Sequence, residues 1–295
     1  MHSSQASFLE YLRAERRSSV HTLTSYRTDL DQFAAYLGVT YGIDDLAEVQ
    51  TLHVRSWLAS LRESGISARS IQRKRSGLST FYKYMRREGK VDRDPVSRTR
   101  SPKSEKRLPV FADQSSMDRM IEGMEWTDDF RGKRDCLMLT LLYESGIRLS
   151  ELIGLKTSDL DFEKKVFRVL GKRNKERVLP LLEKTIEQLG AYLQERGKAY
   201  GHEVPELLLT DSGSKLYPKF VYRKVNSYLG RVSTLDKRSP HVLRHTFATH
   251  MLNNGAQLNT VKELLGHASL AATQVYTHNT IEKLKRVHSD NHPKG

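Results

Sequence analysis

The chain has 295 residues, enough for two packed domains and long for a single core. Lys plus Arg number 49 against 35 Asp plus Glu, and a net charge of +14 favours a polyanionic partner, with nucleic acid ahead of an acidic small molecule. The excess is shared. Residues 1–108 carry 20 basic and 12 acidic side chains and residues 109–295 carry 29 and 23, so both halves are equipped to meet one phosphate backbone. The single cysteine, Cys136, excludes an intrachain disulfide and a CxxC zinc site. It lies in the apolar run 136–143 and reads as a small core residue. The first residues, Met-His-Ser-Ser-Gln-Ala-Ser, lack a charged region followed by an apolar stretch, and no segment approaches the ~20 apolar residues of a membrane span. Those features predict a cytoplasmic protein with no membrane partner.

In chain order, the first pattern is a short helix over 8–16. From residue 19 to 37, Leu23, Tyr26, Leu30, Phe33 and Leu37 fall on a helical period that the sequence ends at Gly38, a favourable residue just past a helix. A third helix over 54–62 places Val54, Trp57, Leu58 and Leu61 on one face. A fourth, over 68–88, sets Ile71, Leu78, Tyr82 and Met85 on one side. Its opposite side carries Arg69, Arg73, Ser76, Thr80, Lys83 and Arg87 as a continuous, largely basic stripe. Such a stripe suits a helix that tracks phosphates or faces a groove, which makes Arg69, Arg73, Lys83 and Arg87 DNA-binding candidates. An ordinary solvated face fits the same pattern. Residues 94–109 have no apolar periodicity, several prolines and many positive charges, so they read as a basic, extended linker. A linker of that kind between two basic domains suits a clamp on a duplex. The predicted division is therefore a helical domain over 1–93, a linker over 94–109 and a second domain over 110–295.

The second domain opens with helical patterns over 114–124 and 132–144. Residues 165–170, the polar turn 171–176 and residues 177–181 read as a β-hairpin within a small sheet. Helices are predicted over 182–194, 219–232, 241–253 and 260–265, followed by a charged tail helix. The fold class is thus mainly α with a small antiparallel β-sheet, a four-helix domain preceding an α+β domain.

Six side chains in this domain stand at element ends, turns or polar faces where core packing does not demand them: Arg148, Lys172, His241, Arg244, His267 and Tyr276. Each has a bland explanation. Arg148 fits a helix C-terminal cap, Lys172 a charge at a hairpin tip, and Tyr276 a half-buried core aromatic. Their arrangement says more. His241 and Arg244 are three apart near the start of a helix and share a face, while Leu243, Phe247 and Met251 make the adjoining apolar face. One edge of that helix can therefore point at an anion. His267 follows a glycine, with Tyr276 nine residues later.

These segments resemble the tyrosine recombinases, and within them most closely the bacterial Xer recombinases. Residues 145–152 (Ser-Gly-Ile-Arg-Leu-Ser-Glu-Leu) resemble the family's first arginine box, and residues 171–177 (Gly-Lys-Arg-Asn-Lys-Glu-Arg) its lysine-bearing hairpin. Residues 241–245 (His-Val-Leu-Arg-His) and 265–276 resemble the second and third boxes. Arg173 stands where the family often has glycine, a departure that leaves Lys172 in place. The resemblance runs through nearly the whole chain and implies an N-terminal SAM-like core-binding domain, a catalytic domain, and cleavage and rejoining of DNA through a 3′-phosphotyrosyl intermediate.

Phosphodiester exchange needs a nucleophile, an acid for the leaving 5′-oxygen, and positive charge around phosphorus. Arg148 and Arg244 offer forked donors that match phosphate oxygens and stay charged at any working pH. By resemblance, Lys172 protonates the leaving oxygen and His267 donates to a phosphate oxygen. His241 is the candidate acid/base partner of Tyr276, whose phenol, with an ordinary pKa near ~10, needs surrounding positive charge to ionise. Storing the bond as phosphotyrosine removes any need for ATP, so no cofactor is expected. Glu151, one turn from Arg148, reads as a supporting residue that orients the cluster. His245 and His250 read as hydrogen-bonding neighbours of the site ahead of catalysts, and no HExxH pattern, carboxylate or cysteine joins His241, His245 and His250 to make a zinc site. The resemblance further implies double-stranded DNA at inverted-repeat sites as substrate. It implies a homotetramer, or a heterotetramer with a related recombinase, that trades C-terminal helices, here residues 280–294. Chromosome dimer resolution with a septal DNA translocase is the role it suggests. Competing readings are a mobile-element integrase or invertase of the same family, a topoisomerase using the same phosphotyrosine, and a DNA-binding protein without catalysis.

Overall fold

The computed structural model describes residues 3–16, 18–102, 110–171, 175–266 and 278–294. The chain divides into two compact units, Met1–Arg107 and Leu108–Gly295. Among the described residues the secondary structure is mainly helical, with one small antiparallel sheet, as the sequence patterns predict.

The first unit packs four helices: α1 (Ser3–Ala14), α2 (Val20–Tyr41), α3 (Thr51–Glu63) and α4 (Ala68–Arg87). Serines start two of them, since Ser19 accepts from the Thr22 amide and Ser67 from the Ser70 amide, satisfying donors that a helix start leaves open. α2 runs through Gly38, where the sequence placed its end, and stops at Gly42. The left-handed φ of 66° at Gly42 turns its amide back to the Gly38 carbonyl. Leu37 is fully buried, and one more helical turn beyond it is possible because Gly38 is tolerated inside a helix at a cost of only about 1 kcal/mol. Aromatics dominate the core: Phe8 meets Phe81 edge to face at 5.3 Å, and Phe33 lies 4.9 Å from Trp57. Losing one of these rings to alanine costs about 3–5 kcal/mol.

Residues 94–102, expected as free linker, fold back onto this unit. Val96 is fully buried among the aromatics. The Arg75 guanidinium donates to the Thr99 hydroxyl and carbonyl, both at 2.8 Å, and Gln72 donates to the Pro102 carbonyl at 2.9 Å. One buried valine and a few side chains that collect turn carbonyls suffice to pin a segment that has no periodicity of its own.

The second unit is built round α6 (Phe130–Ser145), which is buried on almost every side and packs against α8 (Glu183–Tyr200) and α10 (Pro240–Asn253). Around them lie α5 (Gln114–Ile121), α7 (Leu149–Gly154), α9 (Pro218–Val232), α11 (Leu258–Leu265) and α12 (His278–Asn291). Asp113 and Asp129 cap α5 and α6 through the amides of Ser116 and Gly132. Cys136 is buried in α6. The sheet orders β1 (Leu160–Asp161), β2 (Val166–Leu170) and β3 (Glu176–Pro180) consecutively and antiparallel. Phe167 pairs with Leu179 and Val169 with Arg177, and these four side chains are buried. The amide of Gly171 donates to the Lys175 carbonyl at 2.8 Å and closes the base of the hairpin. None of the described helices is long and apolar enough to cross a membrane.

Candidate active site

The second unit brings three arginines to the C-terminal end of one helix. α11 ends at Gly266, whose φ of 63° fits glycine, and its last carbonyls have no partners within the helix. Three guanidinium groups take them in succession. Arg177 Nε donates to the Leu264 carbonyl at 2.8 Å, Arg244 Nη2 to Leu265 at 2.6 Å, and Arg148 Nη2 to Gly266 at 3.1 Å. Cations at this helix end are favoured by the macrodipole as well as by the hydrogen bonds.

One carboxylate joins the same group. Glu151 Oε1 accepts from Arg148 Nη1 at 2.7 Å and from Arg177 Nη1 at 2.9 Å; Oε2 accepts from Arg177 Nη2 and the Arg148 amide, each at 2.8 Å. Burial alone would raise the Glu151 carboxyl, but hydrogen bonding and charge from Arg177, joined by Arg148, outweigh it and hold it down at about 2. Arg148 therefore stands at the N-cap of α7, not at a helix C-terminus, and Glu151 grips both its backbone and its side chain.

Arg244 enters from α10. Its Nη1 donates to the Gly146 carbonyl at 2.5 Å. Gly146 is obligatory, because a Cβ there would stand 2.4 Å from the Phe247 ring and its φ is 59°. Burial first, then the neighbouring charges of Arg148 and Arg177, bring the Arg244 guanidinium down to about 10, so it remains charged at neutral pH. Among the described residues three guanidiniums stand near one carboxylate, an excess of positive charge in a partly buried setting where an anion is strongly attracted. Exposure separates their roles: the Arg148 side chain is 33% exposed, against 6% for Arg177, so Arg148 is the more open to an incoming oxyanion.

His241 sits exposed in the first turn of α10, which Pro240 begins. On the same helix His245 is exposed, whereas His250 is buried and shares a 2.9 Å hydrogen bond between its Nδ1 and the Tyr143 hydroxyl. Among the described residues, His250 is the one of the two with the hydrogen-bonded surroundings anticipated for both. Lys172, His267 and Tyr276 lie outside the described residues. Arg177 was missed in the sequence as a member of the cluster.

α12 docks against the same unit, packing on β3, α10 and α11. Leu284 and His288 on this helix, and His292 just past its end, are buried. The two imidazoles stack at 5.1 Å and pack on Phe247. His288 Nε2 donates to the Glu144 carbonyl at 2.6 Å, and His292 Nδ1 accepts from the Lys294 amide at 3.1 Å. Lys294 pairs with Asp118 at 2.5 Å and Glu122 at 3.1 Å. Burial first lowers both imidazoles, His288 to about 4 and His292 to about 2.

In the first unit the stripe on α4 is solvent-facing, with Arg69, Arg73, Ser76, Lys83 and Arg87 exposed and Thr80 half-buried. Two of its cations are engaged. Arg73 is bidentate on Asp29 at 2.5 and 2.9 Å, and Arg87 lies 4.2 Å from the centre of the Tyr11 ring while pairing with Glu88 at 2.9 Å and Glu15 at 3.5 Å.

Two family models match the chain: the phage integrase family over residues 111–283, and the phage integrase N-terminal SAM-like domain over residues 6–89. Among curated proteins, "Tyrosine recombinase XerC" of Azotobacter vinelandii is 40% identical, covering 97% of this chain and 95% of its own. That of Pelotomaculum thermopropionicum is 38% identical, covering 97% of each chain. Among solved structures, the XerH site-specific recombinase bound to its palindromic difH substrate after cleavage aligns with a TM-score of 0.73 at 22% identity, covering 98% of this chain and 85% of that one. A lambda integrase dimer bound to a core site aligns with a TM-score of 0.67 at 20% identity, covering 93% and 99%. The family match and the curated relatives place the chain among the DNA strand-exchange enzymes of the tyrosine class. The chain belongs to the phage integrase family of tyrosine recombinases.

Proposed function

We propose that this enzyme cuts and rejoins double-stranded DNA at inverted-repeat sites through a bond between Tyr276 and a 3′-phosphate. The observation that carries the proposal is the arginine cluster: two candidate phosphate ligands, Arg148 and Arg244, held on fixed carbonyls with uncompensated charge between them. Preorganised donors of this kind stabilise a pentacoordinate phosphoryl transition state without reorganising as it forms. Tyr276 attacks phosphorus, Lys172 protonates the departing 5′-oxygen, His267 donates to a non-bridging oxygen and His241 exchanges the phenol proton. Residues 1–93 contribute DNA contacts through α4, residues 110–295 carry the chemistry, and 94–109 connect them. The level of identity to the XerC proteins supports chromosome dimer resolution as the role. On that reading the enzyme works in a tetramer, alone or with a related recombinase, under a septal DNA translocase.

The test is recovery of covalent protein–DNA adducts from cells without crosslinker, in excess chelator, for wild type and Tyr276→Phe, followed by sequencing of the attached DNA. Adducts at one or a few short inverted repeats, lost in the variant, are expected. Adducts that persist in Tyr276→Phe, or that never form in wild type, overturn the assignment.

A further inference from the structure

Arg177 has no part in the chemistry just described, yet it is the most heavily engaged charge in the site. It is 5% exposed and comes from the inward face of β3. All three of its side-chain nitrogens are spoken for: Nε by the Leu264 carbonyl, and Nη1 and Nη2 by the two oxygens of Glu151. A residue so occupied and so shielded is not placed to meet a phosphate itself. What it does is join three elements: the hairpin strand that carries it, the α7 turn through Glu151, and the last turn of α11.

Two glycines border that junction, one tightly and one in ordinary contact. A Cβ on Gly266 would stand 3.0 Å from Arg177 Nη1, and one on Gly171 would stand 3.5 Å from Glu151 Oε1 and 3.6 Å from Arg177 Nη1. Gly171 is the residue at the hairpin base that precedes Lys172 in sequence, and Gly266 precedes His267. The two backbone points from which the leaving-group acid and a phosphate donor depart thus abut one guanidinium.

We propose that Arg177 is a positioning residue, which registers the hairpin base against Glu151 and the end of α11 so that Lys172 meets the leaving oxygen. The inference rests on the proposed function above. In the step concerned, the Tyr276 oxygen forms a bond to phosphorus, the bond from phosphorus to the 5′-oxygen breaks, and the electron pair left on that oxygen takes a proton from the Lys172 ammonium. Lysine at position 177 keeps the charge and loses the forked grip on both Glu151 oxygens.

A positional defect in proton delivery has a signature that a general structural defect lacks. Where sulfur replaces the bridging 5′-oxygen, the leaving group departs as a thiolate, whose thiol pKa near ~8.5 makes protonation unnecessary. Single-turnover cleavage is measured on duplexes carrying the mapped inverted repeat, with either the ordinary phosphodiester or the 5′-bridging phosphorothiolate, for wild type, Lys172→Ala and Arg177→Lys. DNA binding is measured alongside. Arg177→Lys is expected to bind DNA within about 3-fold of wild type and to cleave the oxygen ester at least about 100-fold more slowly. On the sulfur ester it returns to within a few fold of wild type, as Lys172→Ala does. Normal cleavage of the oxygen ester by Arg177→Lys overturns the proposal. Equal slowing on both esters overturns it too, and so does loss of DNA binding, since Arg177 would then be holding the fold. Failure of wild type to cleave, or of the sulfur ester to rescue Lys172→Ala, is a different result and sinks the functional reading beneath it.

Discussion

The two basic surfaces of this protein use the same side chain in opposite ways. On the α4 stripe Arg69, Arg73 and Arg87 stand in solvent, and two of them are matched by nearby carboxylates: Arg73 by Asp29, Arg87 by Glu15 and Glu88. At the end of α11 three guanidiniums are fixed on successive carbonyls, and two of them, Arg148 and Arg177, share one carboxylate. Exposed charges act at a distance, add roughly one phosphate contact each and are screened by salt. Buried, preorganised charges act on one atom and are far less sensitive to ionic strength. On the proposed function, the difference separates finding DNA from cutting it.

Breaking the buried network has the largest expected effect. Glu151→Gln removes the carboxylate that, among the described residues, is bonded to both Arg148 and Arg177; unfolding free energy is expected to fall by about 3–5 kcal/mol, measured by denaturant titration. A loss under 1 kcal/mol would mean that the network contributes little to the fold.

The docking of α12 is expected to respond to pH. Because the folded-state values of His288 and His292 lie below the ordinary imidazole value near ~6.5, the undocked helix binds protons more readily. Docking is therefore at full strength above that pH and weakens as pH falls from it toward about 4, by up to roughly tenfold per pH unit for each histidine. Burial has the opposite consequence at Glu144, pushed up to about 7 on α6, which favours the folded unit as pH falls and leaves the docking of α12 as the element that loosens. Hydrogen exchange of residues 284–294 at pH 7.5 and 5.5 measures it; unchanged protection would contradict the account.

The smallest effect sharpens the contrast on α4. Arg69→Gln with Lys83→Gln is expected to reduce the salt slope of DNA binding by about 2, with little change in stability. Arg73→Gln instead strips one of two cations from the buried Asp29, whose other partner is Lys74 at 2.9 Å, and so registers in stability more than in the salt slope. Equal slopes for all three proteins would remove α4 from the DNA interface.

Much of this organisation is legible in the sequence. Helical periods place α2 and α4, and the hairpin is evident from its turn. The boxes that resemble the recombinase family contain Arg148, Arg244 and Glu151. Other features depend on contacts far apart in the chain. The end of α2 moves to Gly42 because two glycines compete for one cap. Residues 94–102 look like spacer because their anchors, Arg75 and Gln72, lie on another element. Arg177 did leave a signal: in a strand where alternate residues point inward, it occupies the same side as Leu179, and a charge at an inward position requires a partner. That its partners are Glu151 and the Leu264 carbonyl could not be read from that period.

The arginine cluster is proposed to neutralise a phosphate in the transition state, and Arg148, the more open of its members, tests that role most directly. Arg148→Ala should bind the recombination site and cleave an ordinary phosphodiester about 10²–10³-fold more slowly. A methylphosphonate at the scissile position, which removes the charge the guanidinium compensates, should restore most of that loss. Slow cleavage of both substrates, or no loss on the ordinary one, would contradict it.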